Sequence, residues 1–383
     1  MGTVRLFLAL SVVIHHLPQR SFQWLNAGVA VIAFFMISGF YMALVINEKY
    51  RHLDHWRRRF YLGRLARIFP AYLFVLAFGV LWTLVLHQPG ETVLLHYEQL
   101  EAWKKGTLVF MNVFIVGQDL FQTILMTPVK DGQNIVADSA YALFGADYFQ
   151  NKFMVIGQAW SLGSELVFYA LAPFLVTSWR RVFAVLLLSL GVRVAVLWNA
   201  DAYPPSVWSY WFLPGTLSFF CLGCCSYFGY AWLAKLKPGP RAACVKAASL
   251  AISAMFLYWA GSQSFIGGLL YEGDHYDTHV HWTFYLGLAI SLPFLFSVTK
   301  NWSYDRLIGE LSYPLYLVHG FVIGIFLNLK GVSKGSFETE WIIIVLSVGV
   351  AALVYLFVDA PVERFRRRLE VMDFGPRQPG RPG

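Results

Sequence analysis

Long apolar runs without a single charged residue constrain this chain more than any other feature. Ala27–Asn47, Ala247–Ala260 and Trp341–Val358 contain no Asp, Glu, Lys or Arg. A helix rises about 1.5 Å per residue, so most such runs suit a hydrocarbon core about 30 Å thick. They are continuously apolar, which fits neither the alternation of a half-buried strand nor the single stripe of a soluble helix. Composition decides one point: 14% of the residues are charged, against about 25% in a soluble domain. Fourteen Trp and twenty Tyr supply rings for two membrane interfaces.

The expected fold is all-α, a polytopic membrane bundle of about ten transmembrane helices. The candidate spans are 5–20, 27–46, 62–86, 156–177, 182–199, 208–231, 242–261, 281–298, 308–328 and 340–358, and 106–126 is ambiguous. Basic residues decide the orientation, because short cytoplasmic loops carry the excess of Lys and Arg. The clusters Lys49–Arg64, Arg180/Arg181, Lys235–Lys246, Lys300/Arg306 and Arg364–Arg368 all fall on one side. Both termini are then cytoplasmic, provided that 87–155 lies wholly outside as a cap and 106–126 is re-entrant or interfacial. Residues 1–363 form the membrane domain, and 364–383 a basic tail whose Pro- and Gly-rich end is expected to be disordered. The first run carries His15 and His16 and lacks a small-residue cleavage site, so it reads as a retained helix.

The net charge of +8 reports topology here rather than a nucleic-acid partner. Cys221, Cys224, Cys225 and Cys244 lie in or near apolar stretches. Cys221-x-x-Cys224 has no second half-site, so the cysteines read as packing residues and no metal is expected.

Ionisable groups inside spans are expensive, which makes each a functional candidate. Arg5 and His16 are three helical turns apart with about 20° left over, so they share a face roughly 16 Å apart along the axis. The plain alternative is an interfacial Arg and a hydrogen-bonded core His. Arg64-Leu-Ala-Arg67-Ile-Phe-Pro70 sets two guanidinium groups on one face, able to grip phosphates bidentately or simply to anchor the span. Trp160-Ser161-Leu-Gly-Ser164-Glu165 carries a carboxylate that needs a cationic partner, unless it is interfacial. Tyr316 and His319, in Ser312-Tyr313-Pro314-Leu-Tyr316-Leu-Val-His319, share a face. Arg193 can pair inside the bundle, although outward snorkelling is the simpler expectation. Asp359-Ala-Pro361 reads as the end of the last span.

Taken in order, these segments resemble the acyltransferase-3 family of membrane acyltransferases. The resemblance runs from Arg5 with His16, through Phe34-Phe-Met-Ile-Ser38-Gly39-Phe40 and Arg64-x-x-Arg67-Ile-x-Pro70, to Trp160-Ser161-Leu-x-x-Glu165 and Ser312-Tyr313-Pro314-Leu-Tyr316-Leu-x-His319. This chain departs from the family in having Asp359 where a Glu is more usual, and Leu166 where a second carboxylate can follow Glu165. It resembles the form without a C-terminal hydrolase-like domain. The resemblance implies transfer of an acyl group, most often acetyl, from acyl-CoA to a hydroxyl of a carbohydrate such as an exopolysaccharide or lipid-linked sugar, at a bacterial inner membrane. No permanently bound cofactor is implied; acyl-CoA is the donor substrate. On this reading His16 and Glu165 are catalytic. Arg5, Arg64 and Arg67 hold the donor, and Trp160, Ser161, Tyr316 and His319 contact substrate.

Other readings fit less well. No His is followed five positions later by Asp, as glycerolipid acyltransferases require. Gly331-Val-Ser333-Lys-Gly335 lacks the strand-to-helix setting of a nucleophile elbow. A transporter or flippase of a polar glycan or anion would also line a path with Arg, His and Glu, but the chain shows no internal repeat. Asp274, His275, Asp277, His279 and His281 are expected to contact the acceptor or solvent from an outer loop.

Overall fold

The computed structural model describes residues 1–18, 24–86, 100–127, 154–235, 276–328 and 336–366, with a few isolated positions between 239 and 251. Every element among them is helical. In chain order the longer α-helices are α1 (Gly2–His15), α2 (Ala27–Val45), α3 (Trp56–Leu86), α4 (Ala102–Phe114), α5 (Gln118–Met126), α6 (Trp160–Leu175), α7 (Trp179–Trp198), α8 (Leu213–Ala234), α9 (His279–Thr299), α10 (Ser303–Glu310), α11 (Ser312–Asn328) and α12 (Phe337–Val354).

Seven helices among the described residues are long and apolar enough to cross a membrane. They fall on the expected spans 27–46, 62–86, 182–199, 208–231, 281–298, 308–328 and 340–358. Two further expected spans are shorter helices, α1 with 14 residues and α6 with 16. Apart from isolated positions up to 251, the expected span 242–261 lies outside the described residues, as do 128–153, 252–275 and the tail beyond 366. The first helix stops at His15 rather than at 20. Pro18 follows closely, and a proline disfavours helical backbone in the residue before it. The ambiguous 106–126 is not one helix. It breaks into α4 and α5 at a turn where Ile115 (φ 69°) and Gly117 (φ 87°) are left-handed, and each piece is shorter than a bilayer requires.

Local chemistry fixes the helix starts. Asn26 caps α2 by accepting the Gly28 N–H at 2.8 Å, and Ser336 caps α12 by accepting that of Thr339 at 3.1 Å. Each cap satisfies a donor that the first turn leaves unpaired. The leading turn of α1 is capped from another helix: Asp305 of α10 accepts the N–H groups of Gly2 and Thr3 at 2.7 and 2.8 Å, and the Thr3 hydroxyl at 2.8 Å.

The core lies where α2, α6 and α8 meet. Phe220 stacks between Phe35 and Phe168, with ring centroids 4.6 and 4.4 Å away. Beside it α2 and α8 touch backbone to backbone. A Cβ at Gly39 would fall 2.0 Å from the Phe220 carbonyl oxygen, and one at Gly223 would fall 1.8 Å from that of Met36. Lipid tails give apolar side chains no reason to associate, so close backbone approach through small residues supplies the packing.

Arg193 does not snorkel. Its side chain is 2% exposed, and Asp277 Oδ1 accepts its Nε and Nη2 at 2.9 and 2.6 Å. Its Nη1 donates to the Ser209 carbonyl at 2.8 Å, and the guanidinium lies over Phe219, 4.6 Å from the ring centroid. Asp277 therefore serves the bundle rather than an outer-loop contact. His281 is likewise buried, beside the Thr278 cap of α9. Sequence reading missed this pair because 84 positions separate its members.

Two outcomes follow. Gly39→Leu would drive a side chain into the Phe220 backbone, at a cost expected to exceed about 3 kcal/mol. Size-exclusion chromatography in detergent should show loss of the monodisperse protein, while Gly191→Leu, whose Cβ meets nothing within 4 Å, stays folded. Arg193→Met would leave the buried Asp277 carboxylate without its cation, costing about 3–5 kcal/mol. Thermal unfolding in detergent should fall accordingly and recover largely in Arg193→Met/Asp277→Leu.

Candidate active site

The helices α1, α2, α3, α6, α10, α11 and α12 enclose a cavity of about 630 Å³. At its open end Ser303, Arg306 and Arg364 are exposed, whereas Phe35, Ser161, Leu162 and Tyr316 at its closed end are buried. Six Arg (5, 64, 67, 306, 364 and 366) and four carboxylates (Glu165, Glu310, Asp359 and Glu363) line it, a formal balance of 6 − 4 = +2. A concave site with that balance, ending in an apolar wall, suits an elongated anion with an uncharged end.

The charges are arranged rather than scattered. Arg67 Nη1 is bonded to Glu310 Oε2, and Arg366 to Glu363 at 2.7 Å. Arg5 sits within electrostatic reach of Arg67, Glu310 and Glu165. The Arg64 Nε and Asp359 Oδ2 atoms are buried without a hydrogen-bond partner. Glu165 accepts the hydroxyls of Ser38, at 2.5 Å, and Tyr169. Among the described residues no imidazole contributes to that set.

The closed end is a small hydroxyl network. Ser161 Oγ and the Tyr316 hydroxyl are 2.8 Å apart, and Tyr316 donates to the Gln158 carbonyl at 3.0 Å. Gln158 Nε2 donates in turn to the Leu317 carbonyl at 2.9 Å. Beyond Tyr316 lie two imidazoles. His319 is 2% exposed, and its ring centroid is 5.3 Å from that of His16, which is exposed at the far end of α1. Each Nδ1 lies 2.7 Å from a carbonyl of its own helix, Val12 for His16 and Tyr316 for His319. A carbonyl only accepts, so each Nδ1 carries a hydrogen, and the neutral form of either ring presents its lone pair at Nε2.

Of the residues singled out from sequence, Arg5, Arg64, Arg67, Ser161, Glu165 and Tyr316 line one cavity. His16 and His319 pair just beyond its closed end. Trp160 lies behind the wall, 6% exposed, against Phe35 and Tyr210 with centroids 6.2 and 4.9 Å away.

Sequence reading missed Ser38 and Tyr169 as partners of Glu165, and Glu310 as the partner of Arg67. A carboxylate flanking a span was a usable signal at Glu310, since it demands a cation. Asp359 requires a correction. The last span does not close there: a π-helical turn, Tyr355–Asp359, continues α12, and the helix runs on to Arg366. The wider turn lies just before Pro361, whose ring would clash with a carbonyl in regular α register. It also brings Asp359 into the cavity wall.

Residues 2–358 match the family described as "Acyltransferase domain". The chain is 26% identical over 386 aligned positions to the O-acetyltransferase OatA of Staphylococcus aureus strain NCTC 8325, covering 94% of this chain and 56% of that protein. The same protein from strain COL gives the same figures. An uncharacterized protein of Aquifex aeolicus is 25% identical over 219 positions, covering 56% of this chain and 90% of that one. This chain thus spans little more than half the length of the S. aureus relatives. No solved structure matches it.

Proposed function

This chain belongs to the acyltransferase-3 family, and from that premise we propose that it moves an acyl group, acetyl foremost, from acyl-CoA to a carbohydrate hydroxyl. The acceptor class is an exopolysaccharide or lipid-linked sugar, and the setting is a bacterial cytoplasmic membrane with both chain ends inside. The likeness to proteins named O-acetyltransferase supports acetyl as the group and a hydroxyl as its destination. One observation carries the reading: a single helix, α1, contributes Arg5 to the basic cavity and leads to His16 beyond its closed end.

The donor phosphates enter past Arg306 and Arg364 and are held by Arg5, Arg64 and Arg67 through charge-assisted hydrogen bonds. Arg5 and Arg64 have no carboxylate partner among the described residues, whereas Arg67 is paired with Glu310. The pantetheine arm then runs alongside α1, where Arg5 and His16 lie about 16 Å apart along the axis. The thioester reaches the Ser161 and Tyr316 hydroxyls, which donate to its carbonyl oxygen as negative charge develops there. For this each hydroxyl turns its hydrogen from the Gln158 carbonyl towards the thioester, and because the pair stands between the cavity and the imidazoles, the reacting carbon meets the acceptor there.

His16 Nε2 removes the proton from the acceptor hydroxyl as that oxygen attacks the carbonyl. The C–S bond breaks, the acyl ester forms, and the imidazolium returns the proton to the departing CoA thiolate. His319 holds the His16 ring from the buried side. Glu165, engaged with Ser38 and Tyr169, acts on the cavity wall beside Arg64 rather than on an imidazole.

The test uses the purified chain in detergent with acetyl-CoA, reading binding and slow thioester cleavage. His16→Ala should keep donor binding and lose about 10²–10⁴-fold in cleavage, the usual contribution of a positioned base. Arg64→Ala should raise the donor KM about tenfold or more, as loss of a charge-assisted bond would. Folded wild-type protein that neither binds nor cleaves acetyl-CoA would sink the proposal.

A further inference from the structure

Arg67 was singled out from sequence as a phosphate ligand, yet its guanidinium is already bonded to Glu310. Both side chains are about a quarter exposed, at 26% and 27%, and both face the cavity. A carboxylate and a phosphate present the same pair of oxygens to the planar fork of an Arg. An anion that uses Arg67 therefore meets a resident competitor. The displaced carboxylate also has somewhere to go. Arg306 lies four residues earlier on α10, one turn away on the same face, and lines the same cavity. Glu310 can thus pass from one cation to another and keep a charged partner throughout.

We propose that Glu310 is an exchangeable counter-ion: it yields Arg67 to the incoming donor phosphate, turns to Arg306, and takes Arg67 back as the product leaves. This rests on the acyl-CoA reading above. The exchange weakens every anion bound through Arg67 by one common factor, because each must displace the same carboxylate. Its effect on turnover follows. Binding energy spent equally on substrate and product slows release without lowering the barrier, and a resident competitor limits that loss. Glu310 acts through Arg67 and touches no reacting atom, so it is a positioning residue.

The experiment compares wild type, Glu310→Gln and Glu310→Gln/Arg67→Gln as full chains in detergent. CoA and inorganic pyrophosphate are titrated, and KM and kcat are measured with acetyl-CoA. Gln keeps the shape of Glu and can still accept from Arg67, but it carries no charge. Glu310→Gln should tighten CoA and pyrophosphate by the same factor, about tenfold for one charge-assisted contact. The donor KM should fall, kcat should fall with it as CoA leaves more slowly, and the double variant should lose the gain. A purely structural ion pair predicts the opposite: Glu310→Gln with unchanged or weaker binding and a higher KM would overturn the exchange while leaving the donor assignment standing. Tighter pyrophosphate without any CoA binding would support exchange at Arg67 and remove the acyl-CoA reading instead.

Discussion

The leading N–H groups of the first helix have no partners within that helix, and Asp305 of another helix supplies them. Its carboxylate accepts from Gly2, Thr3 and the Thr3 hydroxyl at 2.7–2.8 Å. Inside a bilayer an unsatisfied donor costs several kcal/mol, and a negative group at the positive end of the helix adds to the benefit. The seat is tight: a Cβ at Gly2 would lie 1.6 Å from the Asp305 carbonyl oxygen. Height and rotation of α1 are therefore set at one end. Arg5, one turn in, reaches the cavity, and His16, at the other end, reaches His319.

The cavity that α1 borders divides its labour by chemistry. Guanidinium groups gather towards the open end, hydroxyls close the other, and the imidazoles stand behind them. The carboxylates keep this from being a bare cationic hole. Glu310 and Glu363 each neutralise one Arg, whereas Glu165 is tied to two hydroxyls. A site built this way attracts anions without holding them by unscreened charge.

Much of this was legible in the sequence, for reasons that differ by residue. The spans were readable because a bilayer demands unbroken apolar length, and seven of the expected ones recur as long helices. Arg5, Arg64, Arg67, Ser161, Glu165 and Tyr316 stood out as polar groups in apolar settings, and they line one cavity. What was not legible is pairing across the bundle. Arg193 with Asp277, Arg67 with Glu310 and α1 with Asp305 join positions far apart in the chain, and nothing local marks one partner for the other. Helix ends were misread where a proline was involved. Pro18 stopped the first helix early, whereas Pro361 failed to stop the last because a π-helical turn precedes it.

The glycine contact between α2 and α8 has a mechanical consequence. With Gly39 and Gly223 each seated on the other helix's carbonyls, neither helix can slide or roll without backbone collision. Val31, Phe34, Phe35 and Ser38 of α2 form one wall of the cavity, so that wall is stiff. α10 is seated just as closely on α1, where a Cβ at Gly309 would fall 2.5 Å from the Gly2 Cα, whereas α3 meets α10 through the Arg67–Glu310 ion pair and α11 through the Tyr313 hydroxyl, which donates to the Ile68 carbonyl at 2.6 Å. The cavity therefore has an anvil side, made by α2 and by α10 on α1, and its exchangeable contacts lie on α3.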